Sequence, residues 1–288
     1  MFRLYVRVIL TCSMLFAGGC LSQPVTITGP LQDGMHIWKG EVRIAGDVEI
    51  PAGAEVVVRP GTQIVFMPAG DNDLYTGHPH FQGSELIVRG RFVAEGSPRQ
   101  PIEFRYVDAK GDAGSWGGLN LMASPWSSFA YCLFTQADSA IHSQESTVVI
   151  EESIFERNQV GIRFHSSQIL IEHNRLRQND TAIRFHFGAP VICHNLIEGN
   201  RKGLFITSAP EDFLIRHNLF TRNNPYHVVL GETVAGDVDL RNNRWLDSSS
   251  SGFLDHFFDH QRDSALGTVL LTPFSLSAGT PAGPSWNR

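Results

Sequence analysis

The sequence predicts an all-β solenoid, in which short strands wind into the stacked laps of a parallel β-helix. Three observations predict it. From Val148 to Ile206 the chain repeats itself without gaps every 21 residues. Within each repeat, apolar residues alternate with polar ones at period 2, which is strand chemistry. Asn returns at two fixed slots, where a chain turning back on itself needs corners.

The repeat is read in columns. Ile150, Ile171 and Ile192 share one, followed by Ser153, Asn174 and Asn195, and then by Phe155, Leu176 and Ile197. Asn158, Asn179 and Asn200 come next, then Gly161, Ala182 and Gly203. A fourth lap carries Ile215, Asn218, Phe220 and Asn223 after a 23-residue step, and a weaker fifth carries Leu240 and Asn243 after 25. Backwards, Cys132, Phe134, Ala137 and Ala140-Ile141 make a lap 21 residues before Ser153. A period in the twenties means a solenoid, either leucine-rich or β-helical. The leucine-rich form needs several Leu per repeat and a helical return. Here the slots hold Ile, Phe and Val. One lap cannot bury its apolar side alone, so stacking makes the core. The Asn side chains are expected to hydrogen-bond from lap to lap and to supply left-handed corners themselves.

Earlier, Val42, Ile44, Val48, Ile50, Val56, Val58, Ile64 and Phe66 alternate with polar residues, punctuated by Pro51-Ala52-Gly53 and Pro60-Gly61. With Gly46 to Gly53, Arg59 to Ile64 and the opening Trp116-Gly117-Gly118-Leu119-Asn120-Leu121, these laps resemble the repeats of the pectate-lyase-like superfamily. The resemblance runs from roughly Val42 to the C-terminus. It implies a single-stranded right-handed parallel β-helix. It does not fix an activity, because one fold hosts many functions.

The organisation expected is a leader over residues 1–19, a tether and N-terminal cap over 20–40, the β-helix over 41–247, and a C-terminal cap and tail over 248–288. The leader has Arg3 and Arg7, an apolar run through Leu15-Phe16, and Ala17-Gly18-Gly19 before Cys20. That ending resembles the lipobox of bacterial lipoproteins, with Ala17 where Leu is favoured. It makes Cys20 the expected lipidation site and a lipid anchor the expected membrane contact; the alternative is an ordinary secretory signal. Leu21, rather than Asp, after the Cys implies outer-membrane sorting, facing the periplasm or the cell surface. Gly252 to His260 reads as a short amphipathic capping helix, with Asp255-His256 and Asp259-His260 on its wet side. Pro68 to Gly83, with Asp71, Asp73, His78 and His80, reads as a surface loop.

Composition narrows the function. The full chain has a formal net charge of −6. Without residues 1–19 it has 21 basic against 29 acidic side chains, a net of −8, which argues against nucleic acid. Cys132 and Cys193 lie three laps apart by the register, beyond the roughly 7 Å that a disulfide spans. They are expected as free thiols, Cys132 buried.

Three constellations stand out. The words Gly161-Ile162-Arg163-Phe164-His165 and Ala182-Ile183-Arg184-Phe185-His186 recur one lap apart. With Ile162 and Phe164 inward, Arg163, His165, Arg184 and His186 face out. They are the candidate ligand-binding residues, suited to the carboxylates of an extended polymer such as a uronic acid chain; a merely solvated face is the alternative. Second, His173, His194 and His217 stack in a column one residue before the ladder Asn. They read as structural, although stacked imidazoles suit a transition metal. Third, Glu156, Arg177 and Glu198 alternate in sign across laps and read as cross-strand support, while Glu151 and Glu172 share a face.

Enzymes of the resembled superfamily use acid clusters with calcium and an Arg base, or grouped Asp residues. In the middle laps Asp138, Asp180 and Asp212 are scattered among different slots. The expectation is therefore a non-catalytic envelope lipoprotein that binds an extended, acidic polysaccharide or an envelope partner. No catalytic residue, metal site or cofactor is assigned. One alternative is a polysaccharide lyase or glycoside hydrolase. The other is a periplasmic metal accessory protein, since the resemblance reaches a copper-associated branch of β-helix proteins.

Overall fold

The computed structural model describes residues 23–68, 81–208, 212–246, 251–274 and 281–287. The leader, Cys20, Asp71, Asp73, His78 and His80 lie outside the described residues.

Period-2 alternation produces short strands, and three per lap stack into three parallel sheets of ten, nine and eight strands. The ten-stranded sheet takes Cys132–Thr135, Ile154–Glu156, Arg175–Arg177 and Leu196–Glu198. The nine-stranded sheet takes Trp116–Met122, Ala137–Gln144, Val160–His165, Thr181–His186 and Lys202–Ile206. The eight-stranded sheet takes Thr147–Glu151, Gln168–Glu172, Val191–Cys193 and Leu214–Arg216. The register matches the sequence columns: Ile150 pairs with Ile171 and Ile171 with Ile192.

The inward slots are dry. Ile150, Ile171, Ile192, Ile162, Ile183 and Leu204 are fully buried. Aromatic residues stack on themselves across laps, Phe134 over Phe104 at 4.4 Å and over Phe155 at 4.7 Å, the latter pair within 3° of parallel. Each such side chain contributes on the order of 1.5–3 kcal/mol by leaving water.

The corners work differently from expectation. The left-handed residue is not the Asn but the one before it: His173, His194 and His217 at one corner, Arg157, Gln178 and Arg222 at another. The Asn that follows turns inward and is buried. There it does what only a carboxamide can, accepting from the lap before and donating to nearby carbonyls. A chain of backbone N–H to side-chain oxygen bonds thus runs from Cys132 through Ser153, Asn174, Asn195 and Asn218 to Asn243. A second runs from Ala137 through Asn158, Asn179 and Asn200 to Asn223. The third corner carries a shorter ladder of serines, Ser124, Ser146 and Ser167, behind left-handed Ala123, Glu145 and Ser166.

Several expectations need correction. The solenoid starts before residue 41: Val25–Ile27 and Gly34–Trp38 already pair parallel with Val42 to Ile44 and Ala54 to Val58. The capping helix over Gly252 to His260 is a single 3₁₀ turn, Phe253–His256. Phe257–Phe258 then pairs with Val228-Val229 as a strand, because the open edge of the sheet offers more hydrogen bonds than a further helical turn. Asp259 is buried rather than solvated; its carboxylate accepts from the backbone of Gln261 and Val269. Glu156, Arg177 and Glu198 are cross-strand neighbours in register as expected, but the ion pairs divide otherwise. Arg177 holds Glu156 at 2.8 Å, while Glu198 takes Arg175 and Arg222. Burial pushes the Glu198 carboxyl up, but these two guanidiniums outweigh it and hold it below its ordinary range. Cys132 and Cys193 are free and buried.

Candidate functional site

The outer face of the nine-stranded sheet gathers the chain's most unusual side chains. Because Ile162, Phe164, Ile183 and Phe185 fill the core, the residues between and after them must face outward. Register fixes the rest. Asn120 pairs with His142, His142 with Arg163, Arg163 with Arg184, and Arg184 with Phe205. A parallel column runs from Gln144 through His165 to His186. These columns border an open trough of about 520 Å³, lined by His142, Gln144, Arg163, His165, Arg184 and His186, with Thr207 at one end. All four expected ligand-binding residues thus line one trough.

Electrostatics distinguish this trough from a solvated face. The Arg163 guanidinium lies 5.8 Å from the Phe81 ring centre, and that of Arg184 lies 5.1 Å from Phe205. Such packing over rings holds a cation without neutralising it. Burial and the neighbouring Arg184 lower the Arg163 pKa, and Asp138 opposes them. The imidazoles of His165 and His186 stack at 5.3 Å, and His186 Nδ1 lies 3.3 Å from the Thr207 hydroxyl.

Beside the trough the structure assembles acids that lie far apart in sequence. Glu85 is buried against the bare backbone of Gly117, where a Cβ would come within 2.4 Å of its Cγ. Its carboxyl accepts from the Phe81 backbone at 2.8 Å and from the Asn120 side-chain amide. Burial dominates and pushes Glu85 up to about 8; Asp47 and Asp138 add to the rise, while the two hydrogen bonds oppose it. The polar chain continues from Asn120 Oδ1 to His142 Nδ1 at 3.0 Å and from His142 Nε2 to Gln144 Nε2 at 3.2 Å. Asp138 is also raised, chiefly by burial, with Ser139 and Arg163 pulling it back.

Of this group, sequence reasoning missed Glu85, Asn120 and His142 and set Asp138 aside as scattered. The signal was present: counting 21 residues back from Arg163 gives His142.

The remaining constellation lies elsewhere on the lap. The rings of His173, His194 and His217 point outward at the corner between the eight- and ten-stranded sheets. They stack at 5.0 and 5.4 Å. Glu172 sits beside the first two: its Oε1 is 3.7 Å from His173 Nε2 and 3.2 Å from His194 Nδ1.

Among the described residues no helix is long and apolar enough to cross a membrane. Comparison found no match among curated proteins and none among solved structures. A family model described as the right handed beta helix region matches residues 116–254, the laps that carry both the trough and the His column. With its three parallel sheets, the chain is a right-handed parallel β-helix repeat protein.

Proposed function

We propose that the trough on the nine-stranded sheet binds an extended, carboxylate-bearing polysaccharide, with the protein held at the cell envelope through a lipid on Cys20. One observation carries this reading: Arg163 and Arg184, one lap apart, both face the trough and neither forms an ion pair among the described residues. Adjacent strands lie about 4.8 Å apart, close to the rise of one pyranose ring, so successive laps present a cation at a sugar-like repeat. His165 and His186 add hydrogen-bonding edges beside them. A glycan array on the full-length protein tests the substrate class. Uronic acid polymers should give the strongest signals, with neutral glucans near background; equal binding to both classes would reject the reading.

A second reading, glycoside hydrolysis, is favoured by Glu85. A carboxyl still protonated at neutral pH is what a general acid requires, and Asp138 supplies a second acid nearby. Against it, both Glu85 oxygens are already engaged and the side chain is buried. Appearance of new reducing ends from a polymer panel would establish hydrolysis, and a blank across the panel would leave binding alone.

A further inference from the structure

We propose that Glu172, His173 and His194 form a binding site for a divalent first-row transition metal ion. The site is independent of the trough, because it lies at the corner between the other two sheets.

The backbone builds it. His173 and His194 occupy the left-handed slot, with φ of +54° and +56°, which turns their rings outward beside the strands they follow. Lap stacking holds the rings 5.0 Å apart and within 9° of parallel. Glu172 ends its strand just before His173, and its Oε1 lies 3.7 Å from His173 Nε2 and 3.2 Å from His194 Nδ1. The three ligand atoms all fall within 4.8 Å of one another. A tetrahedral zinc ion with bonds near 2.0–2.1 Å has its ligands about 3.3–3.4 Å apart. Because each lone pair lies in its ring plane, the two imidazoles rotate out of their parallel stack to share one ion with Glu172. The three side chains are 25 to 29% exposed, so an ion reaches them from solvent and water completes its coordination.

Charge and support fit the same position. Glu151 pairs with Glu172 on the preceding lap, so the acidic side of the corner faces the two imidazoles. Arg216 pairs with Cys193 on the following lap, which disfavours a cation nearer His217. Cys193 Sγ lies 3.5 Å from Glu172 Oε1. The thiol donates to this oxygen and acts as a positioning residue. The C-terminal segment pins the corner from outside: Gly283 N–H donates to the His194 carbonyl at 2.8 Å, and Trp286 Nε1 donates to the Glu152 carbonyl at 2.7 Å. Two imidazoles and one carboxylate prefer borderline ions such as Zn²⁺ over Mg²⁺ or Ca²⁺, which favour all-oxygen shells.

Titration of the full-length protein with ZnCl₂, followed by calorimetry and by the ring-nitrogen resonances of the histidines, tests the proposal. The expected result is one saturable event that shifts His173 and His194 and survives excess Mg²⁺. His173→Asn, His194→Asn and Glu172→Gln should each weaken it about tenfold or more. Asn is chosen because it tolerates the left-handed backbone. His217→Asn, and Arg163→Ala with Arg184→Ala in the trough, should leave it within about twofold. Unchanged affinity in the site variants, displacement by Mg²⁺, or ring shifts confined to other histidines would overturn the site. The resonances of the unmodified protein decide the matter even where a variant does not fold.

Discussion

Asn174 Nδ2 donates to Asn195 Oδ1 at 3.1 Å, one lap on, and the same oxygen takes the Asn174 backbone N–H at 2.8 Å. Asn195 passes the arrangement along, donating to Asn218 Oδ1 at 2.9 Å and to the carbonyls of Ile171 and Cys193. One carboxamide thus serves a buried backbone donor that no strand can reach.

Truncating that rung has a direct cost. Asn195→Ala takes the acceptor from the buried Asn174 backbone N–H and the side-chain donor from the Ile171 carbonyl, while the Asn174 side-chain amide keeps the Ile150 and Glu172 carbonyls. At about 1–3 kcal/mol for a buried polar group left unpaired, the loss should exceed 2 kcal/mol or so. A lowered urea midpoint with retained β-sheet circular dichroism would bear this out.

The aromatic stack gives a second handle. Phe155 is fully buried and lies 4.7 Å from Phe134. Phe155→Ala should cost about 3–5 kcal/mol through lost transfer energy and the cavity left behind. Phe155→Leu, matching Leu176 in the next lap, should recover most of that loss. Thermal melts of the pair provide the comparison.

Glu85 makes stability fall as pH rises. Its folded pKa of about 8 lies above the 4.5 of an ordinary Glu. Between those values the folded state binds more protons than the unfolded one, so stability declines through that window. Glu85→Gln removes the contribution. The melting temperature of the unmodified protein should therefore drop more steeply than that of the variant from about pH 5 to about pH 8.

Glu198 acts in the opposite sense. Its folded pKa is lowered, so its contribution is present above the unfolded value and disappears as pH falls through the folded one. Glu198→Gln should cost about 1.5–3 kcal/mol at neutral pH, the range for hydrogen bonds to charged groups. The two proteins should converge in acid, as urea melts at neutral and acidic pH would show.

Much of this molecule was legible in its sequence. The columns of Ile150, Asn174 and Asn158 repeat at a fixed step, and a fixed step leaves stacking as the way to bury the apolar face. The outward direction of Arg163 and His165 followed from period 2 alone. The corner residues were misassigned because Asn is the usual left-handed residue, whereas here the buried hydrogen bonds claim it and His, Gln or Arg takes the strained slot. The serine ladder escaped notice because only Ser146 and Ser167 keep the 21-residue step, while Ser124 and Ser146 lie 22 residues apart. Glu85 was invisible because its neighbours Asn120, Asp47 and Asp138 come from other laps, and its raised pKa arises from burial rather than from any motif. The capping helix failed because the 3.6 period of Phe253, Leu254, Phe257 and Phe258 also suits a turn followed by a strand when a sheet edge stands open beside it.

Retention on immobilised polygalacturonate, compared between the unmodified protein and Arg163→Ala with Arg184→Ala, tests the binding account most directly. The unmodified protein should be held at low salt and released as salt rises. The double variant, with unchanged β-sheet circular dichroism, should pass through largely unretained. Equal retention of the two proteins would contradict the account.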